Sequence, residues 1–161
     1  MEDRLAALEA RLQQLEDERE ITRLITSYGP LVDSGSADEV AALWTENGVY
    51  DVGERYMGNR AEIHDMVLSD DHQGLIGMGC CHFLGPVHVT VEGDTARAVC
   101  HSILLVHHKE RYLPVRVGAN HWELERTPDG WRTTRRRTRG LNGSAEAPQL
   151  LAAGITGEGT P

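Results

Sequence analysis

The chain opens on leucines at helical spacing. Leu5, Leu8, Leu12 and Leu15 recur at intervals of 3, 4 and 3 among Glu, Arg and Gln, the seam of two heptads, and predict a helix over residues 1–27. Two heptads are short for a free-standing coiled coil, so the segment is expected to pack on a partner subunit or on its own domain. After Leu15 the apolar register slips to Ile21, Leu24, Ile25, Tyr28 and Leu31, which starts a new helix face that Gly29-Pro30 is expected to kink or interrupt. Asp33-Ser34-Gly35-Ser36 is a turn. Ser36 is placed to cap a helix from Ala37 to Trp44, with Glu39 at the third position as in a capping box. A short strand at Val49–Val52 and a hairpin over Gly53–Gly58, with Tyr56 and Met57 on its return, lead to Asn59. Asn59 can cap a helix over Arg60–Leu68, and the acidic, glycine-containing stretch Ser69–Gly79 reads as a loop.

From Cys80 the period changes to two. Strands are predicted at Cys80–Leu84, Val87–Glu92, Thr95–His108, Leu113–Glu125 and Trp131–Thr138, with turns at Glu92-Gly93-Asp94 and Pro128-Asp129-Gly130. The two longest suit a strongly curved sheet with bulges. Residues 1–17 are read as a helical extension, 18–140 as one domain and 141–161 as a flexible tail. Helices first and a meander of long strands afterwards signal an α+β domain, its helices packed on one face of a curled antiparallel sheet. Such a sheet forms a cone with one open mouth, a natural ligand cavity.

With 161 residues, 40% hydrophobic and 25% charged, the chain has the composition of one ordinary soluble domain. Sixteen basic against 25 acidic side chains give a net charge of -9, which excludes duplex binding through a net basic surface. The longest apolar run, Ile103 to Val106, is far too short to span a bilayer, and no export signal is visible at the start. The expectation is a cytoplasmic protein with neither nucleic acid nor membrane as partner. Cys80, Cys81 and Cys100 show no CxxC spacing and are read as buried free thiols.

The chemistry-bearing candidates are mostly histidines, eight in all. His82 sits within an apolar strand and shares a face with Cys80 and Leu84. His101 and His107 share a face of the long strand with Ile103 and Leu105. Asp33 ends an apolar helix, an odd position for a carboxylate without a partner. A carboxylate beside an imidazole fixes its tautomer and stabilises the imidazolium, leaving the other ring nitrogen free to remove a proton. A strand histidine is equally at home as a satisfied core residue, and residue types alone leave the choice open. His101, His107 and His108 lack the spacing of a metal motif, so no metal is expected. The run Arg135-Arg136-Arg137-Thr138-Arg139 is expected to be a largely solvated strand with one arginine turned inward.

Several marks in order resemble the NTF2-like superfamily, in its SnoaL-like branch with scytalone dehydratase, bile-acid 7α-dehydratase and hexachlorocyclohexane dehydrochlorinase. They are Tyr28-x4-Asp33-Ser34-Gly35, Ala41-Ala42-Leu43-Trp44-Thr45-Glu46-Asn47-Gly48-Val49-Tyr50, Cys81-His82-Phe83-Leu84-Gly85, Gly93-Asp94-Thr95-Ala96, Asn120-His121-Trp122 and Asp129-Gly130-Trp131. The resemblance covers residues 18–140. It implies a cone-shaped α+β fold, a homo-oligomer (dimer or trimer), and a His-Asp dyad at His82 and Asp33. It further implies Tyr28 as the group polarising a carbonyl or hydroxyl, and His107 as a second histidine assisting a leaving hydroxyl. Tyr50, Asn120, Cys80, Val52 and Trp44 become candidate pocket residues, and Arg139 a candidate anion group. Val52 stands where scytalone dehydratase has a tyrosine, and the loop before Asn120 is shorter; both argue against scytalone itself as substrate.

The function these marks imply is a cofactor-independent lyase of the dehydratase type, or a related proton-transfer isomerase, on a small and mostly apolar cyclic substrate. The alternatives are a polyketide-cyclase or ketosteroid-isomerase-like enzyme, and a non-catalytic ligand-binding or assembly module of the same fold.

Overall fold

The computed structural model describes residues 1–157. Helix α1 runs unbroken from Glu2 to Asp33, through Pro30. The expected interruption is absent because one lost backbone bond near the end is outweighed by the buried face of Ile21, Leu24, Ile25, Tyr28 and Val32. Residues 2–16 project with every side chain exposed, including the four leucines of the seam. Packing of that seam on its own domain, one of the two expectations, is therefore ruled out. At Asp17 the helix meets the body. The Asp17 carboxylate takes both terminal nitrogens of Arg126 at 2.8 Å and the Trp131 indole N–H at 3.1 Å.

Short helix α2 (Ala37–Ala41) ends earlier than expected, and strand β1 (Trp44–Asp51) begins earlier. Ser36 makes no capping bond; its hydroxyl pairs with that of Ser34 at 2.8 Å instead. β2 (Tyr56–Met57) closes the small hairpin, and α3 (Arg60–Leu68) is capped as expected, the Asn59 side chain accepting from the Glu62 N–H at 2.9 Å. The stretch read as a loop is helical: α4 spans Asp70–Met78, with Ser69 accepting from the His72 N–H. Its glycines and acids hid an N-cap followed by a first turn of aspartates, an arrangement that favours a helix start.

Strands β3 (Cys80–Leu84), β4 (His88–Glu92), β5 (Thr95–His108), β6 (Arg111–Thr127) and β7 (Gly130–Gly140) follow the predicted order. The sheet runs β2-β1-β7-β6-β5-β3, with β4 also on β5. It is mixed rather than wholly antiparallel, since β1 pairs with β7 in parallel. Its concave face closes over α1, α2 and α3 around the fully buried Trp44, Trp122 and Trp131. The expected tail instead holds helix α5 (Glu146–Thr156), which buries Ala147, Leu150, Ala153 and Gly154. Gly154 lies directly on Val99 and His121, so α5 covers the convex face. Residues 158–161, the end of that tail, lie outside the described part of the chain.

Two bulges decide which side chains reach the concave face. On β6, Leu104 pairs with Arg116 and the next residue, Leu105, with Pro114, so Val115 is the extra residue. On β7, Thr133 faces Leu124 and Arg135 faces Glu123, so Thr134 is extra. Each inserted residue reverses the alternation beyond it. Arg136 consequently turns inward, whereas Arg116 lies on the Trp122 side of the Val115 bulge and faces inward by unbroken alternation with Asn120 and Trp122.

Candidate functional site

The site forms where α1 crosses β3. Gly29 is buried against the β3 backbone, and a Cβ there would run into the His82 carbonyl oxygen. Only glycine allows this approach. One turn later Asp33 is brought alongside the strand. Its Oδ1 meets His82 Nδ1 at 2.5 Å, and its Oδ2 accepts the His82 backbone N–H at 2.7 Å. The Cys80 thiol donates to Oδ1 at 3.4 Å. Burial alone would raise the Asp33 carboxyl, but the bonds from the His82 ring and backbone outweigh it and hold the group below its ordinary value. Burial and the neighbouring Asp33 charge push the Cys80 thiol up to about 12.

An ionised carboxylate can only accept, so His82 Nδ1 carries the proton and the neutral ring has a free lone pair on Nε2. No protein group bonds Nε2 among the described residues. The His82 ring lines two adjoining chambers that share Tyr28, Tyr50 and Arg116. The outer encloses about 130 Å³ and also meets Val52, Met66, His72 and Leu75. The inner, of about 10 Å³, ends on Ser102, Arg136 and Thr138. Burial drives the Tyr28 phenol strongly upward, so it is a neutral hydroxyl and a donor. Its ring stands edge-on to His82 at 6.4 Å.

Asp33, Cys80 and His82 offer three potential metal ligands within 4.8 Å of one another. The carboxylate and Nδ1 are already bonded to each other, and the thiol donates to the same carboxylate, so each of the three already has a hydrogen-bond partner. The donor set suits a hydrogen-bonded dyad better than a cation.

A family model described as a SnoaL-like domain matches residues 13–137. The chain belongs to the SnoaL-like domain family. A solved NTF2-like protein with a cystatin-like fold from Novosphingobium aromaticivorans is 48% identical, with TM-score 0.89, over 91% of this chain and 96% of that one. Two further structures from the same organism align less closely. One, provisionally assigned as an aromatic ring hydroxylase, is 27% identical with TM-score 0.64 over 79% of this chain and 90% of its own. The other, provisionally assigned as a scytalone dehydratase, is 18% identical with TM-score 0.65 over 80% and 86%, and it shares the fold alone. The comparison with curated proteins returned no match. No helix among the described residues is long and apolar enough to cross a membrane.

Within this SnoaL-like domain the structure gathers some expected residues and separates others. His82, Tyr28, Tyr50 and Val52 line the cavity, and Asp33 is bonded to His82 without lining it. Cys80 stands behind it, on Asp33. Trp44 is fully buried beneath Tyr28 and Tyr50, 6.0 and 5.6 Å away between ring centres, and lines neither chamber. Asn120 is likewise fully buried: its Oδ1 accepts from Arg136 Nη2 at 2.8 Å, Arg136 Nε at 3.2 Å and Thr138 at 2.7 Å. His107 is exposed and stacks near Tyr112 on the convex side, because β3 pairs His82 with Leu104 and Cys80 with Val106, leaving odd-numbered residues on the other face. It cannot assist at His82. Arg139 also lies outside, bound to Asp51 at 2.8 Å and Glu146 at 3.2 Å. The one inward arginine is Arg136, 2% exposed. The basic run offers no continuous basic patch, since Arg137 pairs with Glu123 and only Arg135 is exposed.

Sequence reasoning missed His72 and Arg116, and it expected one inward arginine in the run 135–139 without singling out Arg136. His72, buried in α4, donates from Nε2 to the Val32 carbonyl at 2.8 Å and stands 5.7 Å from the His82 ring centre. The Ser69 N-cap was its one local signal. Arg136 depends on the Thr134 bulge, which the sequence does not mark, whereas Arg116 follows the same alternation as Asn120 and Trp122, a signal that could have found it.

Proposed function

We propose that this SnoaL-like protein is a cofactor-independent lyase of the dehydratase type, or a closely related proton-transfer isomerase, acting on a small cyclic substrate. His82 Nε2 removes a proton beside a carbonyl or leaving group, Asp33 holds the imidazole and stabilises its cation, and the Tyr28 hydroxyl, beside Tyr50, donates to the oxygen on which charge grows. The observation that supports this best is the 2.5 Å contact between Asp33 and His82 Nδ1, on a residue that lines the cavity and whose Nε2 has no protein partner among the described residues. A carboxylate base of the ketosteroid-isomerase kind is less well supported, because both Asp33 oxygens already accept bonds from β3. The second reading, an assembly module, draws on the exposed leucine seam of α1, and a homo-oligomer is compatible with either.

The test is turnover of a panel of cyclic β-hydroxy ketones and unsaturated ketones by wild type and His82→Ala. Loss of about 10² to 10⁴ in rate with an unchanged fold is expected. Equal turnover by the two proteins would overturn the assignment.

A further inference from the structure

Arg136 is a buried cation without an anion. Its guanidinium lies 4.1 Å from the ring centre of Tyr28, 4.5 Å from Tyr50 and 4.2 Å from Trp122. Such contacts favour a cation but do not neutralise it. Nε and Nη2 both bond Asn120 Oδ1, and that oxygen is then saturated by Thr138. Nη1 is buried with no partner. Among the described residues no carboxylate lies within ion-pairing distance of Arg136, and leaving a buried charge in that state is costly.

The surroundings repeat the bias. Ser102 accepts from Asn120 Nδ2 at 2.8 Å, and its own proton has no acceptor among the described residues. Arg116 lines both chambers and Arg55 the outer one. The acidic groups nearby are Asp71, on the outer wall, and Asp33, already bonded to His82; neither forms an ion pair with any of the three arginines. A protein with net charge -9 thus gathers three cations around one cavity, where its overall field would otherwise repel an anion.

We propose that the cavity binds the carboxylate of a one-ring acid, with Arg136 Nη1 and the Ser102 hydroxyl as donors at its inner end and Arg116 at its mouth. This names the substrate class of the site proposed above and rests on that assignment of the cavity. The outer chamber's 130 Å³ is close to the roughly 150 Å³ of an engineered cavity known to hold benzene, room for the ring, and the inner chamber's 10 Å³ admits one carboxylate oxygen. An apolar ring fits against Met66, Leu75 and Val52, and a planar carboxylate suits a guanidinium.

Calorimetric titration of the wild-type protein with benzoate and cyclohex-1-ene-1-carboxylate, against benzamide and cyclohex-1-ene-1-carboxamide, tests it without turnover. Each acid is expected to bind at least about 10-fold more tightly than its amide, the strength of a charge-assisted bond. Arg116→Gln, at the exposed mouth, is expected to weaken the acids about 10-fold while leaving the amides unchanged. Equal affinity for acid and amide, or binding of neither, would overturn the proposal and leave Arg136 a core cation with water on Nη1. His82→Ala separates the two assignments. If it turns over like wild type and still binds the acids, the catalytic assignment fails and this one stands; if it loses turnover while no acid is preferred, the reverse holds.

Discussion

Asp33→Asn is the most informative single change, because the geometry dictates where the amide must point. In the wild type one carboxylate oxygen takes the His82 ring proton and the other takes the His82 backbone N–H. An amide has only one oxygen. Keeping it on the ring would set its NH₂ against a backbone N–H, two donors in contact. The cheaper arrangement keeps the oxygen on the backbone and lets the NH₂ donate to the ring. His82 must then accept at Nδ1 and carry its proton on Nε2, where a base needs a lone pair. Two charge-assisted bonds become neutral ones, at about 1 kcal/mol each, so stability falls by about 2 kcal/mol and Tm by about 4–8 °C. Nitrogen-15 correlation spectra of the imidazole, which need no substrate, should show Nδ1–H in wild type and Nε2–H in the variant. Any turnover should fall by about 10² to 10⁴. Wild-type spectra with the proton on Nε2, or an unchanged tautomer in Asp33→Asn, would refute the dyad geometry.

Gly29→Ala should destabilise even though alanine is the better helix former by about 1 kcal/mol, because its Cβ meets the His82 carbonyl; a raised Tm would show that α1 does not lie this close to β3. The Arg126 bonds bring the Asp17 carboxyl from 3.8 down to about 2. A lowered carboxyl stabilises the fold above its unfolded value and loses that contribution as pH falls from about 4 towards 2. Asp17→Asn should therefore cost about 2 kcal/mol at pH 7 and flatten acid unfolding in that window; an unchanged profile would contradict the buried pair. If the exposed leucines seat a second copy, light scattering should show an oligomer for wild type and a lower mass for Leu8→Glu/Leu12→Glu; a monomeric wild type would end that expectation.

Much of this protein is legible along the chain because it is encoded locally. Period-two alternation from Cys80 marks the strands, and the Asn59 cap starts α3. Even the Asp33–His82 partnership is foreshadowed by a carboxylate at an apolar helix end and a histidine inside an apolar strand, once the likeness to SnoaL-like proteins aligns them. The misread segments are those where local signals conflict. Asp70–Met78 carries glycines in a helix held by tertiary contacts, and α5 earns its place only by covering Val99 and His121. What tertiary structure alone decides is which face each strand residue presents. Both faces of β5 are apolar, so the sequence cannot say that Leu104 is inside and His107 outside. A single extra residue at Thr134 reverses the alternation on β7, sending Arg136 into the cavity and Arg139 out to Asp51 and Glu146. A bulge is a matter of register between two strands, and register exists only after they pair.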